Sequence, residues 1–254
     1  MRNRFIGPGL AAVAVVSISV FVLGRMETRS TATLAQSAPS RPDLSGVWMQ
    51  SELGDGFTKD ALPLQPWADE RSKANFAADD KNRSEIVGKP IPPGAEADPG
   101  EKCFPSGMPR IYLHRYPVEI MQDSKRVIMF FEYDHVVRQI WTDGRTHPKD
   151  DEVDDTWNGH SIGSWDGDTF VVDTVGFNDK TWLDNAGHPH SDALHVVERI
   201  RRVDPETLQI DFTFDDPKAY TRSWSGQKIF RLRPGWEIAE HVCADNFLWK
   251  EPGT

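Results

Sequence analysis

The clearest pattern in this chain is an alternation. Between residues 208 and 214, Leu208, Ile210, Phe212 and Phe214 alternate with Gln209, Asp211 and Thr213. A period of two sends the apolar set to one face and the polar set to the other, which marks a strand with one wet side. From Pro117 onward similar strand-forming runs recur, cut by turn residues. They span 118–122, 126–133, 136–142, 161–165, 169–175, 195–203, 208–214, 225–232 and 236–242. Asp123-Ser124-Lys125, Asp143-Gly144, Asp166-Gly167, Asp204-Pro205-Glu206 and Pro234-Gly235 punctuate them, and Asp166-Gly167 is a strong two-residue hairpin signal. One more strand is expected at 46–50.

No helix of crossover length separates these runs, so the sheet is expected to be mainly antiparallel. About ten sequential strands must hide their edges. Closure into a barrel does this fully and a barrel-like sandwich does it partly. The predicted class is therefore all-β, a barrel able to hold one small ligand. Residues 51–116 differ, being rich in Pro, Gly and charge. A short helix is expected near 66–78. Lys89-Pro90-Ile91-Pro92-Pro93-Gly94 excludes regular structure. This stretch reads as a loop layer over one end of a single domain that runs from 39 to 254.

The N-terminus follows another rule. Arg2 and Arg4 precede an apolar run over 10–23, the charged and apolar regions of an export signal. The run is short of the roughly 20 apolar residues that span a bilayer. Small residues at 34–38 offer a cleavage site, but Arg25, Glu27 and Arg29 separate it from the run. Residues 1–38 thus read as a signal peptide or an uncleaved signal anchor. Export implies a periplasmic or secreted protein, with an inner-membrane tether as the alternative.

Charge narrows the partners. Beyond residue 38 the chain has 25 Lys and Arg against 38 Asp and Glu, a net charge of −13. So acidic a body repels phosphate backbones, which argues against a nucleic-acid partner and leaves a small molecule as the expected one. The two cysteines, Cys103 and Cys243, form an even pair in an exported chain and are expected to make a disulfide. That bond would tie the loop layer to the last strand.

Two resemblances bear on the fold. Ser45-Gly46-Val47-Trp48 is similar to the Gly-x-Trp opening of lipocalin-type barrels. The chain also resembles an uncharacterised secreted bacterial family, on Asp43-Leu44-Ser45-Gly46-Val47-Trp48, on Gly159-His160-Ser161-Ile162-Gly163 and on His188-Pro189-His190-Ser191-Asp192-Ala193-Leu194-His195. That resemblance covers most of 43–246 and implies export, but carries no activity with it. The long 51–116 stretch departs from a plain lipocalin.

Candidate chemistry concentrates at 182–198, with three His, two Asp and a Glu in a loop that feeds a strand. Loops at a barrel mouth commonly carry polar chemistry. In an acid/base reading, His190 or His195 moves the proton and Asp184 or Asp192 fixes its tautomer. His188, His190 and His195 are the alternative, as ligands of zinc or a similar ion. A solvated loop that shapes the turn is the third reading. Glu132 is a further candidate acid if it faces into the barrel, where an unpaired carboxylate is costly. Tyr133, His160, Trp182, His188, Tyr220 and Trp224 are candidate ligand contacts, with His160 able to share a cavity with His195. No dinucleotide, phosphate-loop or haem signature occurs, so no cofactor is expected. The functional expectation is a cofactor-independent lyase, isomerase or hydrolase acting on a small aromatic or oxygenated molecule. The alternatives are a lipocalin-like carrier of an apolar ligand and a metal-binding envelope protein.

Overall fold

The computed structural model describes residues 41–78, 98–149 and 154–243, all within the compact unit Ser40–Thr254. The expected export segment and the Pro-rich 89–94 stretch lie outside the described residues. Nine strands form a closed barrel in sequence order. They are β1 Gly46–Gln50, β2 Val118–Gln122, β3 Arg126–Phe131, β4 Val137–Trp141, β5 His160–Asp166, β6 Thr169–Val175, β7 His195–Asp204, β8 Thr207–Asp215 and β9 Trp224–Leu232. One helix, α1 Pro66–Ala78, covers the position expected for it. No helix among the described residues is long and apolar enough to cross a membrane.

The strand wall follows the alternation in the sequence. Leu208, Ile210, Phe212 and Phe214 all point into the core. The Asp166-Gly167 signal produces the β5–β6 hairpin, with Asp166 paired to Thr169 and Gly167 at φ +62°. Gly163 on β5 has a packing role. A Cβ there would lie 2.4 Å from Phe170 Cζ, so the glycine lets the Phe170 ring cross the wall.

The run 236–242 forms no strand, and one neighbouring pair is parallel. β4 and β5 run the same way, with Ile140 opposite Ser161 and Trp141 opposite Ile162. The reason is parity. Antiparallel neighbours around a closed ring need an even number of strands, and β1 closes antiparallel on β9. Nine strands therefore require a parallel seam. The connection at 142–159 exceeds the dozen or so residues that a parallel crossover needs.

The missing tenth strand has its backbone donors taken elsewhere. Ala239 N–H donates to Glu132 Oε2 at 2.9 Å, and Cys243 N–H donates to Asp134 Oδ1 at 2.8 Å. His241 N–H donates to His135 Nε2 at 3.3 Å. The turn after β3 thus captures the tail, and the Cys103–Cys243 disulfide fastens it. The bond joins the loop layer to an irregular tail rather than to a strand. Such a bond suits an oxidising compartment.

The barrel interior is filled by side chains. Tyr112, Met129, Phe212 and Phe230 occupy it beside a buried ion pair, Arg138 of β4 and Glu198 of β7. Tyr112 O–H donates to Glu198 Oε1 at 2.8 Å, and Arg138 Nη1 reaches that oxygen at 2.9 Å. Ser161 and Thr174 accept the remaining guanidinium donors at 3.0–3.2 Å. A buried charge pair is tolerated only when its donors and acceptors are satisfied like this. Burial acts to lower the Arg138 pKa, but the Glu198 carboxylate and Tyr112 overcome it and keep the guanidinium charged. At another part of the wall Arg202 lies over the Trp48 ring at 5.3 Å, and Trp48 Nε1–H donates to Leu44 O at 2.9 Å.

Candidate functional site

The outer face of β5–β7 carries an unusual set of polar groups. On β6 the inward positions are Phe170, Val172 and Thr174, so Val171, Asp173 and Val175 point outward. On β7 the inward set is Val196, Glu198 and Ile200, leaving His195, Val197 and Arg199 outside. Asp173 pairs with Ile162 on one side and Val197 on the other. Its diagonal neighbours on those strands are therefore His160 and His195, close enough for side chains to meet. Strand register alone assembles two imidazoles around one carboxylate. A third, His147, arrives from the β4–β5 connection.

The contacts form a chain. His195 Nε2 lies 2.8 Å from Asp173 Oδ1, and His147 Nε2 lies 3.1 Å from the same oxygen. His147 Nδ1 lies 2.9 Å from His160 Nδ1. An ionised Asp173 can only accept, so both Nε2 atoms carry protons. With His147 neutral, its Nδ1 holds a lone pair and accepts from His160 Nδ1–H. One assignment of neutral tautomers thus satisfies every contact. It leaves lone pairs on His195 Nδ1 and His160 Nε2, the two ends of the chain. His147 is 20 % exposed, while Asp173 and His195 stand about two-fifths open to water, at 41 % and 39 %. Burial, then the neighbouring His147 and Arg145, lower the His160 pKa, which favours this neutral form.

His160 and His195 both line one cleft of about 410 Å³. His160, His195, Asp155, Asp192, Lys218 and Leu194 are among its walls. Lys218 Nζ donates to Asp192 Oδ1 at 2.6 Å, and this pairing lowers the Asp192 pKa. No aromatic ring other than the imidazoles lines the cleft among the described residues. The walls combine these ionisable groups with an apolar stretch that includes Val175, Ala193 and Leu194.

The other sequence candidates sit apart from this cluster. His190 is buried, donates from Nδ1 to Ser191 O at 3.2 Å and accepts from Thr181 Oγ1 at 2.9 Å. Burial lowers its pKa, so it is a neutral element of the loop. His188 Nδ1 meets the buried Asp184 at 2.6 Å, and Asp184 also accepts from Ala186 N–H and His188 N–H. That carboxylate ties the loop upon itself. His188, His190 and His195 therefore do not converge, because each has its own partner. Among the described residues no group of three or more His, Cys, Asp or Glu is arranged to hold a metal ion. Glu132 does not face the barrel interior; it holds the tail. Trp182 is buried beneath Arg110, and with His190 it lines a smaller cleft of about 240 Å³. Tyr220 O–H donates to Pro189 O at 2.9 Å, and Trp224 stacks on Phe214 at 4.1 Å, so both belong to the core. Tyr133 lines a different cleft from that of His195.

The sequence reading missed His147 and Asp173. Asp173 had a signal, as the one charged residue on the wet face of an alternating strand adjacent to the strand of His195. His147 had none, because it lies in an irregular connection. Compared with known proteins, no family model matches this chain and no curated protein matches it.

Proposed function

We propose that this protein is an exported β-barrel enzyme that moves protons with a carboxylate-bridged histidine relay on its outer wall. The observation that carries the reading is Asp173 Oδ1, which accepts from His195 and His147 at once. A carboxylate that accepts from one imidazole nitrogen fixes the tautomer and leaves the lone pair on the opposite nitrogen. His195 Nδ1 is that nitrogen. It takes a proton from a substrate carbon or water, and its conjugate acid returns the proton later. His160 Nε2 accepts a hydrogen bond from a substrate hydroxyl at the other end of the cleft. The reaction classes that suit this are isomerisation, elimination and water-activated hydrolysis.

The ionisable groups in the walls, with no aromatic ring besides the imidazoles among the described residues, favour a small oxygenated molecule over an aromatic one. The chemistry needs no cofactor. A lipocalin-like carrier is the weaker reading, since Tyr112, Phe212 and the Arg138–Glu198 pair fill the interior where an apolar ligand would sit. The charged and apolar N-terminal segment, together with the disulfide, supports a periplasmic or secreted location, either free or tethered.

The test is a set of small hydroxy- and oxo-acids incubated with the protein in D₂O and followed by proton NMR. Deuterium incorporation or product formation is expected. It should fall by about 100-fold or more in Asp173→Asn and His195→Gln, the scale of a lost general base. Turnover unchanged in both variants would overturn the reading.

A further inference from the structure

A second cleft, about 400 Å³, lies beneath the loop layer and shares none of its lining residues with the relay cleft. Ser106, His114, Tyr116 and Tyr133 line it together with Arg110 and Arg115. Ser106 Oγ lies 2.6 Å from His114 Nε2, a hydroxyl donating to an imidazole lone pair. Nucleophile and base within hydrogen-bond reach are the signature of an activated serine.

The surroundings hold both groups still. The His114 ring stacks on Tyr133 with centroids 4.1 Å apart and planes 9° from parallel. Gly107, next to Ser106, sits at φ +69°, and a Cβ there would lie 2.7 Å from Trp157 O. Met108 N–H donates to that same carbonyl at 3.0 Å, so the backbone beside Ser106 is pinned. Two residues on, Arg110 is locked by Asp98 at 2.7 and 2.5 Å and by Asn185 at 3.0 Å. Asp98 also interacts electrostatically with His114. Tyr133 lines the same cleft as Ser106, and burial, ahead of the nearby Asp134, raises its pKa and keeps its proton on.

The geometry points to Ser106 as the nucleophile, and His114 as the base, of a second active site that hydrolyses small carboxylic esters. Ser106 Oγ attacks the ester carbonyl and its proton passes to His114 Nε2. The Tyr133 hydroxyl donates to the oxyanion that this attack creates. Collapse breaks the bond to the leaving alkoxide, which takes the proton from His114. Water then attacks the acyl carbon, loses a proton to His114 and expels Ser106, which recovers that proton. Leu113, Tyr116 and Tyr133 form the wall for the acyl group, and Arg115 stands at the exposed rim.

The test uses the full-length protein with its disulfide intact. It is treated with a fluorophosphonate and digested, and the adduct is located by mass spectrometry. Hydrolysis of p-nitrophenyl acetate is measured in parallel. The adduct should form on Ser106, and should persist in Ser164→Ala, which changes an exposed wall residue. Ser106→Ala and His114→Asn should each lose at least about 100-fold in hydrolysis. Labelling of the wild-type chain is decisive even if a variant misfolds. An adduct that is absent from Ser106, or hydrolysis that is unchanged in Ser106→Ala, would overturn the proposal.

Discussion

Arg138 and Glu198 meet inside the barrel, one from each side of the β4–β5 seam, with both side chains almost wholly shielded from water. Tyr112 donates to the carboxylate and raises the cost of losing it. Burial, then Glu198, hold the Tyr112 pKa well above its ordinary value, so the phenol stays a donor. Removing one partner strands the other charge. Glu198→Ala should cost about 3–5 kcal/mol, read as a shift in urea midpoint. The double change Arg138→Met, Glu198→Leu should cost far less, because it strands no charge. Equal costs for the single and double changes would contradict this account.

Acid should weaken the fold through histidine. Burial lowers the His190 pKa, and burial with His147 and Arg145 lowers that of His160. The unfolded chain then binds more protons than the native one, so stability rises with pH. The contribution is present above the unfolded value of about 6.5 and is lost as pH falls below it. The urea midpoint should drop between pH 7.5 and about 5.5, and the drop should be smaller in His190→Gln. A slope of the opposite sign would show that His190 gains a partner when charged.

The disulfide closes a loop over a sequence separation of 140 residues. Its loss should lower stability by about 2–5 kcal/mol, largely by freeing the unfolded chain. Thermal unfolding of Cys103→Ser with Cys243→Ser, compared with the reduced wild type, checks this. The two should match, and both should fall below the oxidised protein.

Gly163 should resist enlargement. A methyl group there would meet Phe170 Cε2 at 2.6 Å and Ile140 Cγ2 at 2.9 Å. Gly163→Ala should cost about 1–3 kcal/mol by overpacking. A truncated Phe170→Leu partner should recover part of the loss.

Strand positions were legible because burial on one side imposes a period of two. The 118–122 and 169–175 runs match β2 and β6 at both ends, and 66–78 matches α1. The run 236–242 misled because the same apolar pattern suits a tail held by side chains. Nothing local distinguishes a backbone bonded to Glu132 and Asp134 from one bonded to a strand. The parallel seam followed from that single miss. In the site, His195 and Glu198 lie an odd number of positions apart on one strand, so they face opposite ways. Which face was inside depended on the whole barrel, and His195 lies outside. Asp173 met His147 through a connection whose path no spacing rule gives.

The central claim is that Asp173 fixes the protons of the relay, and nitrogen-15 NMR of the imidazole side chains reads this directly. At pH 7.5 His195 and His147 should be Nε2–H tautomers and His160 the Nδ1–H tautomer. Asp173→Asn should disturb the tautomers of His195 and His147 together. An Nδ1–H tautomer on His195, or imidazole spectra indifferent to Asp173→Asn, would contradict the claim.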